Sequence, residues 1–219
     1  MAASGGESQC IGRFVDESDV DTKRVYLARK TVLEMLHDRG YEVVDSELSC
    51  SLDEFRSSFG DKPNLERVRI CVPLRDDPGR KMLVIFMGTE PITVKSIRAV
   101  RGQIAGSEGL HGLILVLQSK MNRFAQNELP TFPYKVETFM ITDLLVNISK
   151  HVMQPKHEVL SEEEKARLLK KYGLEDKMLP RMLESDSFVK YYGLEKGQVV
   201  KFMYKAEPVG SFVTYRCIV

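Results

Sequence analysis

The sequence predicts an α/β domain of about 140 residues followed by a smaller α+β unit of about 75. Three observations lead there. The hydrophobic period alternates between helical and strand-like along the first 143 residues, the texture breaks near Leu144, and glycines and prolines punctuate short segments from there on. A chain of 219 residues, 43% hydrophobic and 29% charged, has the length and composition for two cores of that size.

Residues 1–20 read as a Gly/Ser-containing flexible extension. Asp19 to Arg39 reads as a helix: Val25, Leu27, Val32, Leu33, Met35 and Leu36 recur at helical spacing, acids gather before it, and Gly40 ends it. Ser51 to Phe59 is a shorter helix, opened by a Ser-x-x-Glu capping box (Ser51, Glu54) and closed by Gly60. Arg67 to Pro73 alternates, Met82 to Met87 is continuously apolar, and Asp76-Asp77-Pro78-Gly79 between them signals a hairpin turn. Thr93 to Ile104 returns to helical spacing through Ile97 and Val100. Gly112 to Leu117 then has the β-branched, unbroken apolar character of a buried strand. Gln118 to Gln126 reads as a loop tip, and Tyr134 to Ile141 as a further strand with Tyr134, Val136 and Phe139 inward.

Beyond Leu144, a second capping box at Ser161 and Glu164 starts a helix running to Tyr172-Gly173. Gln198 to Tyr204 and Ser211 to Ile218 read as two strands. Tyr191, Tyr192, Phe202, Tyr204, Phe212 and Tyr215 crowd the last 30 residues, more aromatics than so small a unit needs for its own core. Aromatics are enriched where proteins meet, so an interaction surface is expected there.

Composition removes several function classes. The longest apolar run is six residues, Met82 to Met87, far short of the roughly 20 of a membrane helix. The first residues carry neither a basic nor an apolar signal region, and the reading is intracellular. Cys10, Cys50, Cys71 and Cys217 are widely spaced, which points to reduced thiols and to no zinc knuckle. His151 and His157 are six apart, a spacing that suits no helical metal pair. Charge is balanced at +1, with 19 Lys+Arg against 21 Asp+Glu through residue 143 and 13 against 10 thereafter. Neither part has the strong basic field of a protein that binds nucleic acid unaided.

No dinucleotide fingerprint, P-loop or Gly-x-Ser-x-Gly elbow occurs. A nuclease on an α/β scaffold needs an acid and a Glu/Asp-x-Lys on a strand to hold a metal. The one instance before residue 144 is Asp21-Thr22-Lys23, at a helix start, so no catalytic residues, metal or cofactor are expected. Within the loop tip, Lys120, Asn122 and Arg123 bring together donors of the kind that contact phosphate.

The residues from His151-Val-Met-Gln-Pro155-Lys-His157 onward resemble a known family. Leu179-Pro180-Arg181, Asp186, Tyr191-Tyr192-Gly193, Gly197-Gln-Val-Val-Lys201 and Thr214-Tyr215-Arg216 are similar to subunit 5 of the eukaryotic nuclear RNA polymerases. The C-terminal domain of that family is shared with its smaller counterpart in the archaeal polymerase. Ala28 to Tyr41, Phe59-Gly-Asp-Lys-Pro63, Gln118-Ser-x-Met121, Phe124-Ala125 and Asp143 to Ile148 extend the resemblance over nearly the whole chain.

The resemblance implies a non-catalytic subunit in the nucleus. Residues 21–143 would form a jaw with a restriction-endonuclease-like fold lacking the active site, near downstream duplex DNA. Residues 144–219 would form an assembly domain docking on the largest subunit and its neighbours. Partner-binding positions implied there are His151, Pro155, His157, Pro180, Tyr191, Tyr192, Gly193, Gly197, Lys201, Tyr215 and Arg216; the DNA-proximal ones are Lys120, Asn122 and Arg123. Asn122-Arg123 stands where the family has Thr-Pro, Ser187 replaces a proline after Asp186, and Lys190 replaces arginine. With the segment Asp143 to Lys150, these departures resemble the plant variant of RNA polymerase V, which implies noncoding transcription for RNA-directed DNA methylation. The alternatives are the subunit common to polymerases I, II and III, and an adaptor acting off the polymerase. No membrane association is expected.

Overall fold

The computed structural model describes residues 17–106, 109–151, 153–206 and 210–219, and these form two four-stranded sheets. The chain divides into two compact units. The first comprises residues up to Leu33 with Tyr41–Leu145, and the second Glu34–Gly40 with Val146–Val219. Most of the expected 1–20 extension, and Cys10, lie outside the described residues, while Glu17–Val20 already belongs to the first helix.

That helix, α1 (Glu17–Asp38), supplies Val25, Ala28, Val32 and Leu33 to the first unit, all buried at the spacing the sequence showed. After a single turn of helix, α2 (Asp45–Ser49), α3 (Leu52–Phe59) opens on the expected box. Ser51 Oγ accepts from Glu54 N–H at 3.3 Å and the Glu54 carboxylate accepts from Ser51 N–H at 2.8 Å.

The first sheet runs β1 (Ile70–Pro73), β2 (Lys81–Phe86), β3 (Leu110–Leu117), β4 (Lys135–Met140) in spatial order. β1 and β2 form the antiparallel hairpin, whereas β2, β3 and β4 are parallel. The apolar runs of β2 and β3 are unbroken because both of their faces are covered, whereas β4, at the edge, carries Glu137 and Thr138 among its apolar residues. On one face Leu83, Ile85, Leu113, Leu115 and Leu117 pack with Ile97, Val100 and Ile104 of α4 (Val94–Ile104). The alternate residues Val84, Ile114 and Val116 are also fully enclosed.

Tyr134 and Val136 join the α4-side core as expected, and Phe139, in register with Val116, is buried as well, on the opposite face. The segment read as a loop tip is in part helical: α5 (Arg123–Glu128) begins immediately after Asn122.

The second sheet has the order β5 (Lys156–Val159), β7 (Val199–Ala206), β8 (Gly210–Ile218), β6 (Arg181–Met182). β5, β7 and β8 are antiparallel, and the two-residue β6 lies parallel to the end of β8. A helix covers each face. α6 (Glu162–Tyr172) sends Leu168 and Leu169 onto Val199, Cys217 and Tyr215. α7 (Ser187–Tyr192) sends Phe188 and Val189 onto Val200, Phe202 and Ile218. The alternation along β7 and β8 is thus read out as two small cores, one per face. Gly173 closes α6 and Gly193 closes α7, both in the left-handed region, at φ +62° and +65°.

Candidate functional site

In the first unit the chain leaves β3 at Leu117 and turns through Gln118, Ser119 and Lys120 into α5. The turn is held by backbone-directed bonds. Ser119 Oγ donates to Glu90 O at 2.6 Å and Asn122 N–H donates to Ile92 O at 3.3 Å. Asn122 is the N-cap of α5: its Oδ1 accepts from Ala125 N–H at 2.7 Å, and Ala125 is fully buried. Asn122 is therefore a helix-starting residue whose side-chain acceptor is committed inward, which corrects its reading as part of an irregular loop. Lys120 and Arg123 are exposed, and among the described residues no ion pair engages either. Phe124, next to Arg123 and four residues after Lys120, is 74% exposed, a large ring presented to solvent.

The implied partner-binding residues of the second unit fall into three groups. On the α7 face, His157, Tyr191 and Tyr192 form one aromatic cluster, with ring centroids 4.6 Å apart for His157 and Tyr192 and 4.9 Å for the two tyrosines. Arg216 lies over the Phe202 ring at 5.6 Å on the same side. On the α6 face, Lys201 and Tyr215 line a shallow cleft of about 230 Å³ with Leu160, Leu168 and Tyr172. Lys201 pairs there with Glu158 at 2.9 Å. The remaining positions serve the backbone. Pro180 O accepts from Cys217 N–H, Gly197 N–H donates to Ile218 O at 3.0 Å, and Gly193 is the left-handed end of α7. His151 is exposed and Pro155 half-buried.

The aromatic excess is partly consumed internally. Tyr191 is 4% and Phe202 3% exposed, so these two rings belong to the core and narrow the expected aromatic surface to the others. Tyr192, Tyr204 and Tyr215 are half-buried, and Phe212 is 44% exposed and stacked on Tyr204 at 4.9 Å with the planes 8° apart.

Tyr191 also anchors a polar network that sequence reasoning missed. Its hydroxyl donates to Asp38 Oδ2 at 2.8 Å and meets Asn147 Nδ2 and Ser149 Oγ at 3.1 and 3.2 Å. Glu34 accepts from Asn147 and pairs with Lys150, both at 2.6 Å. Arg39 donates to the carbonyls of Lys190 and Tyr191, at 2.6 and 2.8 Å, at the C-terminal end of α7. A Cβ on Gly193 would lie 3.0 Å from the Arg39 guanidinium carbon, so a side chain there would push on Arg39 as well as strain the backbone at φ +65°. Burial raises the Tyr191 phenol well above its ordinary range, and the ring stays a neutral donor. Glu34 and Asp38 of α1, and Arg39 just after it, are separated from their partners by more than 100 positions, and nothing local in the sequence marks them. Burial likewise lowers the His157 imidazole, against smaller opposing effects of the Pro155 carbonyl and the Asp38 charge.

Comparison with known proteins finds matches in both parts of the chain. Residues 19–104 match the family model described as RNA polymerase Rpb5, N-terminal domain, and residues 146–218 the one described as RNA polymerase Rpb5, C-terminal domain. The chain is 64% identical to DNA-directed RNA polymerase V subunit 5C of Arabidopsis thaliana over 212 residues, 97% of this chain and 91% of that protein. It is 47% identical to RNA polymerase V subunit 5A of the same plant over 95% of this chain and 94% of that protein. It is 37% identical to subunit RPABC1 of RNA polymerases I, II and III from Caenorhabditis elegans, over 93% and 99%.

Proposed function

This chain belongs to the Rpb5 family, a non-catalytic subunit of the nuclear RNA polymerases, and from that membership we propose that it serves RNA polymerase V in the nucleus. The observation that carries the choice of polymerase is the identity gradient: 64% and 47% to polymerase V subunits, against 37% to a subunit common to polymerases I, II and III. Its transcription is then noncoding, in support of RNA-directed DNA methylation. The second unit docks on the largest subunit, and the first lies beside downstream duplex DNA as an endonuclease-like jaw without the active site. The three consecutive parallel strands β2, β3 and β4 with flanking helices support that view of the jaw. Near-neutrality fits a protein whose approach to DNA is supplied by the assembly, because tethering raises the local concentration of even a weakly binding loop.

Affinity purification of the tagged full-length chain from plant nuclei, with the copurifying largest subunits identified by mass spectrometry, tests this. The expected result is enrichment of the polymerase V largest subunit over those of polymerases I, II and III. Equal recovery of the other three would overturn the assignment to polymerase V. Elution of the chain by itself, away from any polymerase, would overturn its role as an assembled subunit and favour an adaptor acting alone.

A further inference from the structure

One edge of β8 is left open, and the direction of its hydrogen bonds says which residues line it. Ile218 donates its N–H to Gln198 O, so the even-numbered residues of β8 are those bonded to β7. The odd-numbered ones point the other way. Cys217 N–H reaches Pro180 O at 2.8 Å and Val219 N–H reaches Met182 O at 2.9 Å, which is how β6 attaches. β6 is two residues long and pairs with Cys217 and Ile218 alone. Upstream on the same row, the N–H and C=O groups of Ser211, Val213 and Tyr215 have no backbone partner among the described residues.

Exposed edges of this length are normally blunted by proline, lysine, a bulge or a covering element. β8 carries neither proline nor lysine, and its pairing with β7 runs from Gly210 to Cys217 without a register shift. Phe212 and Val213 are 44% and 47% exposed at this end of the strand. Lys201 on β7 is already paired with Glu158, but β8 carries no acid, its one charged residue is Arg216, and the exposed Arg181 opens β6. The edge thus offers unpaired backbone groups, two exposed apolar side chains and two arginines without an acid on either strand.

We propose that the open edge of β8 at Ser211 to Tyr215 is completed by an extended segment of a partner polymerase subunit, one alternating apolar and acidic side chains. The segment continues the row that β6 begins, so that main-chain bonds supply affinity and the alternate side chains supply selectivity. This rests on the reading of the chain as an assembled subunit and specifies how it attaches.

Val213→Pro removes an outward donor and places a ring on the open side while leaving the β7 ladder intact, a position where an edge strand accepts proline. Val213→Thr changes the side chain and keeps the donor. With full-length chains expressed in plant cells, the expected result is at least a tenfold loss of polymerase copurification for Val213→Pro and less than a twofold change for Val213→Thr. Equal recovery of both, with the parent chain assembling normally, would overturn the edge assignment while leaving the subunit reading in place. Failure of the parent chain to assemble would instead remove the subunit reading, and the edge assignment with it. Amide hydrogen exchange on the parent chain needs no variant. The Val213 and Tyr215 amides are expected to exchange at least tenfold more slowly in the complex than in the free protein, and unchanged rates would also overturn the proposal. So would a homodimer of the purified chain that Val213→Pro dissolves, because the edge would then be taken by a second copy.

Discussion

His157 shows how a single residue ties packing to solution behaviour. Its ring stands edge-on to Phe188 at 4.7 Å and close to Tyr192, in a half-buried aromatic setting that disfavours the charged form. The folded-state pKa therefore lies below the ordinary value of 6.5, and the unfolded chain takes up the proton first as pH falls. Stability is fully present above about 6.5 and declines as pH drops from there toward the lower folded value. Thermal melting of the free protein from pH 7.5 to pH 5 is expected to show this decline, with a smaller slope in His157→Asn. An identical slope in the two proteins would contradict the assignment. Tyr191 makes the complementary point: two adjacent tyrosines read the same in sequence, yet one is a buried donor to Asp38 and its neighbour a half-buried ring.

At the scale of elements, what could be read from the sequence was whatever is encoded within a few residues. The capping boxes at Ser51 and Ser161, the glycine stop at Gly173, and the β1–β2 hairpin are local patterns, and they stand where expected. The helical start at Asn122 was missed because a six-residue helix is too short to show a period, although Asn followed by Ala125 in the buried position was its signal. α7 was missed for the same reason, and β6 has only two residues. The parallel order of β2, β3 and β4 escaped as well, since pairing between distant strands leaves no local trace. The α5 start makes a separable prediction. Asn122→Ala loses the cap and is expected to cost about 1 kcal/mol of stability in urea denaturation. Arg123→Ala should leave stability within about 0.5 kcal/mol. In the assembled polymerase it should weaken contact with downstream DNA slightly and equally across sequences, as loss of a phosphate contact does. A sequence-dependent effect of Arg123→Ala in footprinting would contradict that role.

For the whole molecule, a net charge of +1 sets the free protein's behaviour. The chain alone is expected to bind a 30-base-pair duplex no more tightly than about 10⁻⁴ M at near-physiological salt, the weak end of the non-specific range. Micromolar retention in a gel-shift assay would show an intrinsic DNA site that composition argues against. The division of the chain has a different consequence, for the order of events during synthesis. Glu34–Gly40 belongs to the second unit, and Asp38 waits 153 positions for Tyr191. A growing chain exposes Glu34, Asp38 and Arg39 long before Asn147, Lys150 and Tyr191 leave the ribosome. The first unit has every one of its residues by Leu145, whereas the second must gather a piece made at the start of translation and a piece made at its end. Such long-range closure is slow compared with local folding. A nascent chain stalled shortly after residue 145 would hold a finished first sheet and an unanswered triad of charges. That state marks it as incomplete to any chaperone that reads exposed, unpaired surface.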